Sequence, residues 1–294
     1  MPKLAIIILS FNTKEITLNC ISSIISNPPK KSYEIVVVDN ASTDQTVSEI
    51  KQRFKTVKIL ENKENLGFSA GNNKALKSIS AEYYLLLNSD TKILPNSLDN
   101  LILFADTHTE YGVISCKLLN PNKAFQPNSG ELPKPFNTFL WLANLDILFP
   151  GWSYQARSDS YYQDGKEVGW VSGSVMLIKD EVIKKVGVLD ENIFMYGEDV
   201  EYCMRVKQNN FKVGWTNQAE VIHVGGASSE KPQFKQWLGE FQGVLYIYQK
   251  YYGQLTAKLM KQLFYFFIIL RALIFTIMGK LEIGRTYAKV AINL

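Results

Sequence analysis

Three continuous apolar runs within the first 90 residues constrain the fold more than any other feature of this sequence. They lie in KLAIIIL (3–9), YEIVVVD (33–39) and YYLLLNSD (83–90), and each is apolar on both faces. The segment between the first two runs has apolar residues at helical spacing, namely Ile16, Cys20, Ile21, Ile24 and Ile25. Strands that are hydrophobic on both faces and alternate with helices are typical of a parallel sheet covered on each side. The sequence therefore predicts an α/β fold with a mostly parallel central sheet flanked by helices.

Composition agrees with a folded intracellular protein. The chain has 294 residues, 46% hydrophobic and 20% charged, which is enough for a sizeable core and argues against disorder. A formal charge of +4 is too small to indicate a nucleic-acid partner. The three cysteines are far apart and indicate free thiols in a reducing compartment, and LAIIIL (4–9) is too short for a signal peptide or a membrane span. We therefore expect a cytoplasmic location.

Acidic residues follow two of the predicted strands. The second run ends at Asp39, and the third is followed by Asn88, Ser89 and Asp90. In such sheets ligands bind beyond the carboxyl ends of the strands, although a helix N-cap is an alternative role for Asp39. The sequence contains neither of the glycine patterns GxGxxG and GxxxxGK[ST], so it lacks the signatures of a dinucleotide site and of a P-loop.

Three carboxylates crowd the start of another predicted helix. The stretch IFMYGEDVEYCMRV (193–206) places Glu198, Asp199 and Glu201 within four positions, directly after aromatic residues. Such a cluster is either a solvated helix start or a catalytic site. His223 follows a later apolar run, where a lone histidine is usually structural.

Taken together, these stretches resemble the inverting family-2 glycosyltransferases, which have the GT-A fold. The resemblance covers residues 3–228, and the GEDVE motif together with NSD at the metal-binding position is similar to that of rhamnosyltransferase-like members. The matching stretches, in order, are LAIIILSFN (4–12), EIVVVDNASTDQT (34–46), ENLGFSAGNNKAL (64–76), YLLLNSD (84–90) and the segment from WVSGS to HVGG (170–226).

The resemblance implies that Asp199 is the general base, which removes the proton from the acceptor hydroxyl. We expect the helix dipole to favour its charged form and the neighbouring Glu198 and Glu201 to raise its pKa again. Glu201 would also orient Asp199 or bind acceptor hydroxyls. Trp170 and Tyr196 would offer apolar surface on which an acceptor sugar stacks.

The resemblance also implies a metal site and a donor site. Asp90 and His223 would bind Mg²⁺ or Mn²⁺, although Asn88 stands where the family's DxD motif has its first aspartate. Asp39 would accept a hydrogen bond from the N3–H of a pyrimidine base, which suggests dTDP-rhamnose first and a UDP-hexose second. The remaining residues expected at the donor site are Ser10, Gly67, Asn72, Asn88, Ser89 and Gly173.

The C-terminal region, residues 229–294, is expected to be a helical extension of a catalytic domain at 1–228. Its segment 263–279 is apolar except for Arg271. Seventeen residues reach about 25 Å as a helix, which is short of a bilayer core of about 30 Å. A helix lying on the cytoplasmic membrane, a buried dimer interface and a true span all remain possible interpretations. The flanking basic residues are Lys258, Lys261, Lys280, Arg285 and Lys289.

The function expected from this reading is sugar transfer from a nucleotide-sugar donor to a lipid-linked or polysaccharide acceptor at the inner face of the plasma membrane. A sugar-nucleotide nucleotidyltransferase is one alternative, although SFNTKEIT (10–17) lacks the glycine-rich basic loop that would hold a triphosphate. A non-catalytic membrane scaffold that retains the fold is the other.

Overall fold

The computed structural model describes residues 1–225 and 234–294. Its strands are β1 (Leu4–Ser10), β2 (Tyr33–Asp39), β3 (Lys58–Glu61), β4 (Tyr83–Asn88), β5 (Thr91–Ile93), β6 (Tyr111–Leu119), β7 (Phe125–Gln126), β8 (Ser129–Gly130), β9 (Lys166–Glu167), β10 (Trp170–Val171), β11 (Val175–Lys179) and β12 (Lys212–His223). The helices are α1 (Lys14–Ser26), α2 (Thr46–Arg53), α3 (Gly67–Ser78), α4 (Ser97–Thr107), α5 (Pro135–Leu142), α6 (Asp180–Val186), α7 (Glu198–Gln208), α8 (Phe234–Tyr251), α9 (Gly253–Ile277) and α10 (Leu281–Asn293).

A mixed, mostly parallel sheet forms the centre of the molecule. Among the described residues it has ten strands, eight of them in the order β3-β2-β1-β4-β11-β6-β12-β5. The first four of these run parallel, as the apolar runs predict. Strand β11 lies antiparallel between β4 and β6, whereas β12 runs parallel to β6. The predicted fold class is therefore confirmed.

Both faces of the sheet are buried. In β1 the side chains of Ile6 and Ile8 join a core beneath α1 and α4. Those of Ala5 and Ile7 join a second core on the opposite face, where α3 and the C-terminal helices lie. This explains why the strand segments are continuously apolar instead of alternating.

Two parts of the architecture lack a regular pattern. Strand β12 is one strand, Lys212–His223, whose register shifts between Thr216 and Glu220. The irregular stretch between Leu119 and Lys166 contains α5 and three single-turn 3-10 helices. The expected boundary between residues 228 and 229 lies outside the described residues.

The three C-terminal helices, α8, α9 and α10, pack through an aromatic core on the part of the chain that contains the sheet. Phe241 on α8 contacts Trp141 of α5, with ring centroids 5.7 Å apart, and Phe264 of α9 lies 5.6 Å from Phe241. Phe264 and Ile268 are fully buried, and each contributes about 1.5–3 kcal/mol of burial free energy. The helices therefore form a layer continuous with the sheet's second core.

Arg271 is part of this layer. Its Nη2 donates hydrogen bonds to the carbonyl oxygens of Leu142 (2.8 Å) and Trp141 (3.4 Å) at the C-terminal end of α5. A cation is favoured there by the helix dipole and by carbonyl groups without a helical partner. The one arginine in the apolar C-terminal segment thus faces protein, which explains how the segment tolerates it.

Candidate active site

The carboxyl ends of β1, β2 and β4 bring the first group of expected residues together. Ser10 pairs with Asp39 and Leu9 pairs with Asn88, so these strand ends lie side by side. Asp39 is only 2% exposed, and its Oδ2 accepts a hydrogen bond from the Ser42 amide at 2.9 Å. Its Oδ1 is buried and has no hydrogen-bond partner among the described residues. Because such an oxygen is costly to leave unpaired, it is suited to accept a hydrogen bond from a ligand.

Two other residues expected at the donor site are hydrogen-bonded within the protein. Ser10 is buried, and its hydroxyl lies 2.9 Å from that of Thr17 on α1. Asn72 is also buried, and its Nδ2 donates to the carbonyl of Phe68 within α3. Both side chains make hydrogen bonds within the fold, and their place at the donor site stays a prediction.

Asn40 organises the same sheet edge and was missed in the sequence. It is 1% exposed, and its Nδ2 donates to the Asn65 side chain (3.1 Å) and to the carbonyl of Gly67 (3.0 Å). Its Oδ1 accepts from Nδ2 of Asn62 at 2.7 Å. Asn40 thereby ties the end of β2 to the loop that precedes α3.

Gly67 allows this loop to approach the acidic motif. Its φ of +78° favours glycine, and a Cβ there would lie 2.4 Å from the carbonyl oxygen of Phe194. The amide of Phe68 donates a hydrogen bond to the same oxygen at 2.7 Å, and the hydroxyl of Ser69 donates one to the carbonyl oxygen of Ile193. The loop at Gly67 thus contacts the start of the acidic motif at Ile193 and Phe194.

Asp90 and His223, the two metal ligands that the resemblance implies, face each other. The turn from β4 into β5 carries Asp90, and β12 pairs with β5 so that His223 lies opposite Thr91. His223 Nε2 lies 3.2 Å from Asp90 Oδ1 and 3.4 Å from Asn88 Nδ2. Burial opposes ionisation of Asp90, but its hydrogen bond and charge interaction with His223 bring the net pKa below its ordinary value. Ser89 lies at this turn, with Oγ 3.5 Å from Oγ1 of Thr13.

Gln126 determines which nitrogen of His223 carries the proton. Its Nε2 donates to Oδ1 of Asn120 at 3.1 Å, so its Oε1 lies 2.8 Å from Nδ1 of His223. With this amide orientation, neutral His223 carries its proton on Nδ1 and turns the lone pair of Nε2 toward Asp90. In this neutral form the Nε2 lone pair and Asp90 could hold a cation together, whereas in the charged form Nε2 donates the hydrogen bond that lowers the pKa of Asp90.

These two ligands fit a divalent cation whose coordination shell is completed by the substrate. One carboxylate and one imidazole suit Mn²⁺ or Mg²⁺, which retain positions for phosphate and water oxygens. Within 1–225 and 234–294, no group of three or more His, Cys, Asp and Glu side chains gathers that could hold a metal by itself. The remaining coordination would therefore come from water and from the donor.

Asp199 lies at the N-terminus of α7, across from the glycine of VSGS. Its Oδ2 accepts a hydrogen bond from the amide of Gly173 at 3.1 Å, and its Oδ1 accepts one from the amide of Val200 at 2.8 Å. The carbonyl of the next residue, Ser174, accepts a hydrogen bond from the amide of Asn88 at 2.9 Å. The turn at residues 173–174 therefore connects the acidic motif to the strand that carries the metal-site turn.

Burial sets the electrostatics of the acidic motif. It raises the pKa of Asp199, and the hydrogen bonds from Gly173 and Val200 only partly offset this. The pKa of Glu198 is raised well above its usual range, first by burial and then by the charge of Asp199. Crowding was expected to raise the pKa of Asp199, but burial alone raises it, and the charge interaction acts on Glu198 instead. Oε2 of Glu198 is buried without a partner among the described residues.

Glu201 does not act on Asp199 as expected. It is fully buried and turned toward the C-terminal layer, where Arg205 Nε, Lys250 Nζ and the Tyr251 hydroxyl all lie 2.7–2.8 Å from its Oε1. Its carboxylate is therefore committed to an ion-pair cluster that ties α7 to α8, and it is not available to orient the base or bind an acceptor.

The two expected acceptor-stacking residues also lie in packed surroundings. Trp170 is 8% exposed, and its Nε1 donates to the carbonyl of Tyr154 at 2.8 Å, so its ring cannot serve as a stacking surface in this structure. Tyr196 has φ +73°, and a Cβ on Gly239 of α8 would lie 2.6 Å from its ring. The exposed aromatic ring of the motif is that of Phe194, which is 57% exposed.

Comparison with known proteins agrees with this geometry. Residues 5–187 match the family described as Glycosyl transferase family 2, which covers more than half of the chain. The chain belongs to this family. It is a glycosyltransferase of the inverting, hexose-transferring kind, and the nucleotidyltransferase and scaffold alternatives are set aside.

Two curated relatives of this glycosyltransferase are named as sugar transferases. It is 29% identical to the low-salt glycan biosynthesis hexosyltransferase Agl10 of Haloferax volcanii, over 76% of this chain and 67% of the relative. It is 25% identical to N-acetylglucosaminyl-diphospho-decaprenol L-rhamnosyltransferase of Mycobacterium tuberculosis, over 66% of this chain and 67% of the relative.

Solved structures support the fold of this glycosyltransferase. The chain resembles S. aureus TarS 1–349 with a TM-score of 0.55 and 18% identity, over 91% of this chain and 71% of that one. It resembles GalNAc-T7, solved with UDP, GalNAc and Mn²⁺, with a TM-score of 0.56 and 14% identity, over 76% of this chain and 43% of that one.

Proposed function

We propose that this glycosyltransferase moves a sugar from a pyrimidine nucleotide diphosphate to a lipid-linked glycan acceptor at a membrane surface. The observation that carries the proposal is the turn at residues 173–174. Gly173 holds the carboxylate of Asp199, while Ser174 binds the end of β4 beside Asp90. A base for the acceptor and a site for the donor diphosphate thereby lie at the two ends of one short segment.

In the proposed reaction, the acceptor oxygen bonds to the anomeric carbon as the bond from that carbon to the diphosphate breaks. Asp199 takes the proton of the acceptor hydroxyl, and the configuration at the anomeric carbon inverts. Because burial raises its pKa, Asp199 is a stronger base than an ordinary aspartate. A divalent cation held by Asp90 and His223 would stabilise the negative charge of the departing diphosphate.

We propose that the pyrimidine ring of the nucleotide donor lies at Asp39. The buried Oδ1 of Asp39 can accept one hydrogen bond, which suits the N3–H of uracil or thymine. Among donors of this kind we favour dTDP-rhamnose first, because one relative is named as a rhamnosyltransferase, and a UDP-hexose second.

The outer face of α9 is proposed to rest on the membrane. In the described part of the chain, α9 is the one helix long and apolar enough to cross a bilayer, by length and composition. Its 25 residues span about 37 Å, and the apolar segment expected from the sequence forms its C-terminal part. Its inner face packs on protein, and the residues of its outer face are exposed: Leu255, Leu259, Phe266, Leu270, Leu273 and Ile277.

Aromatic contacts extend this apolar face onto the catalytic half. Phe267 of α9 lies 5.8 Å from Phe139 of α5, and Phe136 lies 5.8 Å from Trp152, which is 63% exposed. Exposed aromatic rings beside basic residues favour the interface of an anionic membrane. Since α9 also packs on α5, α8 and α10, a helix lying along the membrane accounts for its contacts better than a span does. The alternative is that this face forms a dimer interface, and a vesicle-binding measurement distinguishes the two.

The test of the proposed function is the melting temperature of the purified protein in the presence of each of a panel of nucleotide sugars. Each sugar is tested with Mn²⁺, with Mg²⁺ and with a chelator. A ligand at 100 times its dissociation constant adds about 2.7 kcal/mol of stability, which raises the melting temperature by several degrees. We expect a metal-dependent rise with one thymidine or uridine sugar, followed by transfer to a short-chain lipid-linked acceptor. No rise with any pyrimidine nucleotide would contradict the donor assignment.

A further inference from the structure

A second site lies between the catalytic half and the C-terminal helices. It is a cavity of about 350 Å³, within the size range of small-ligand pockets. Two arginines, Arg157 and Arg271, share its wall with aromatic rings. The aromatic rings are those of Trp141, Trp237, Phe241, Phe275 and Tyr287.

Both guanidinium-bearing side chains line the same cavity. Burial lowers the pKa of Arg271 and so does the positive charge of Arg157, whereas Tyr287 and Asp146 act in the opposite direction. Arg271 is fixed by its hydrogen bonds to the end of α5, whereas Arg157 is 44% exposed and its Nε lies 3.5 Å from Oδ2 of Asp146. An anion between two such groups would turn their repulsion into attraction, and guanidinium groups bind phosphate oxygens with good geometry.

The cavity also contains one carboxyl group, that of Glu240. Burial raises its pKa, and the charge of Asp199 raises it further, whereas a hydrogen bond from Gln236 acts in the opposite direction. Glu240 therefore ionises less readily than an ordinary glutamate and opposes an anion less.

Ring contacts connect the cavity to the active site. Trp141 in the wall lies 5.1 Å from the ring of Tyr154, which lies 5.8 Å from that of Trp170. Trp170 is three residues before Gly173, which holds Asp199. Packed rings thus join the cavity wall to the segment that carries Gly173.

The cavity borders the apolar outer face as well. Ile274 lines it and is 45% exposed on α9, and Asn144 lines it beside Leu145, which is 40% exposed. A molecule with a charged head and an apolar tail could place its head between the arginines and its tail along α9.

We propose that the Arg157–Arg271 cavity binds the phosphate or diphosphate group that joins the acceptor sugar to its lipid carrier. The inference rests on the proposed function and specifies the acceptor as a phosphate-bearing lipid. The cavity then positions the sugar end of the acceptor toward Asp199, while the outer face of α9 accommodates the lipid. Arg157 is accordingly a specificity-determining residue for the acceptor.

The test is calorimetric titration of the full-length protein with farnesyl diphosphate in the presence of chelator, which suppresses metal-dependent binding at the donor site. We expect Arg157→Gln to weaken binding roughly ten- to a hundredfold, the effect of losing one charge-assisted contact, and Arg157→Lys to weaken it less. The matched control is Arg285→Gln, which removes an exposed arginine of α10 that does not line the cavity.

Several outcomes would overturn the inference. Equal affinity for farnesol would show that the phosphate is not recognised, and equal weakening by Arg157→Gln and Arg285→Gln would indicate general charge attraction. Weakening by Asp90→Asn instead of Arg157→Gln would place the probe in the donor site. Stabilisation by nucleotide sugars is measured on the same variants and should survive Arg157→Gln. Its absence from the wild type would contradict the proposed function independently of the titration.

Discussion

The amide of Gly173 donates a hydrogen bond to Oδ2 of Asp199 over 3.1 Å. A Cβ at position 173 would lie 2.9 Å from the ring of Phe68, so glycine is what lets the turn, the helix and the α3 loop meet. The contact fixes the direction of the carboxylate. It also opposes the rise in pKa that burial causes, so the basicity of Asp199 depends both on its burial and on this hydrogen bond.

The rate of transfer should depend on pH through Asp199. Its pKa is raised, and the charged form is the one that accepts a proton, so activity should be lost as pH falls through a midpoint above the ordinary value of about 3.9. The measurement is kcat/KM for the acceptor against pH with donor saturating. An acid limb at or below the ordinary value would contradict the assigned environment.

Glu198→Gln should change how stability depends on pH. The folded-state pKa of Glu198 is raised, so its contribution to stability is complete below the unfolded pKa and is lost as pH rises through the folded value. Relative to the variant, the wild type should therefore lose stability as pH rises above the unfolded pKa of glutamate, about 4.3. Denaturant unfolding of both proteins across this range measures it, and a constant difference would show that Glu198 is not protonated in the fold.

Gln126→Ala should weaken metal binding without removing a metal ligand. Gln126 holds the proton on Nδ1 of His223, and loss of such an outer partner typically costs about 10–100-fold in metal affinity. Mn²⁺ titration in the presence of the nucleoside diphosphate measures the change directly. Gln52→Ala on the exposed surface of α2 is the control, and equal Mn²⁺ affinity in all three proteins would contradict the metal site.

Leu273→Asp on the outer face of α9 should release the protein from anionic vesicles. Leu103→Asp on α4 should not, although both leucines are 57% exposed and both variants gain one negative charge. Sedimentation with vesicles of phosphatidylglycerol and phosphatidylcholine measures the difference. Equal binding by the two variants would contradict the membrane face. Dissociation of a dimer by Leu273→Asp, without loss from vesicles, would favour the interface between copies instead.

The sheet and its ligand edge were predictable because burial leaves a direct mark on sequence. Continuous apolar runs fixed β1, β2 and β4, and the acids at their ends marked the edge where Asp39 and Asp90 lie. Asp90 and His223, 133 positions apart in the chain, were paired through the family resemblance, and the structure brings them to 3.2 Å.

What the sequence could not reveal was the direction of side chains within the motifs. Asp199 and Glu201 are two positions apart on one helix, so they point to different faces, one toward Gly173 and the other toward Arg205 and Lys250. Gln126 and Arg157 lie in the irregular stretch, where no periodic pattern marks the residues that reach a site. Their roles depend on tertiary contacts alone.

Rates of sugar transfer by Asp199→Asn and Glu191→Gln, measured beside the wild type, test the central claim most directly. Asparagine can still accept the Gly173 hydrogen bond but cannot take a proton, so transfer should fall about 10²–10⁴-fold while nucleotide-sugar stabilisation persists. Glu191, an exposed carboxylate eight residues earlier that pairs with Lys77, should be replaceable without loss. Near wild-type transfer by Asp199→Asn would show that another group removes the acceptor proton.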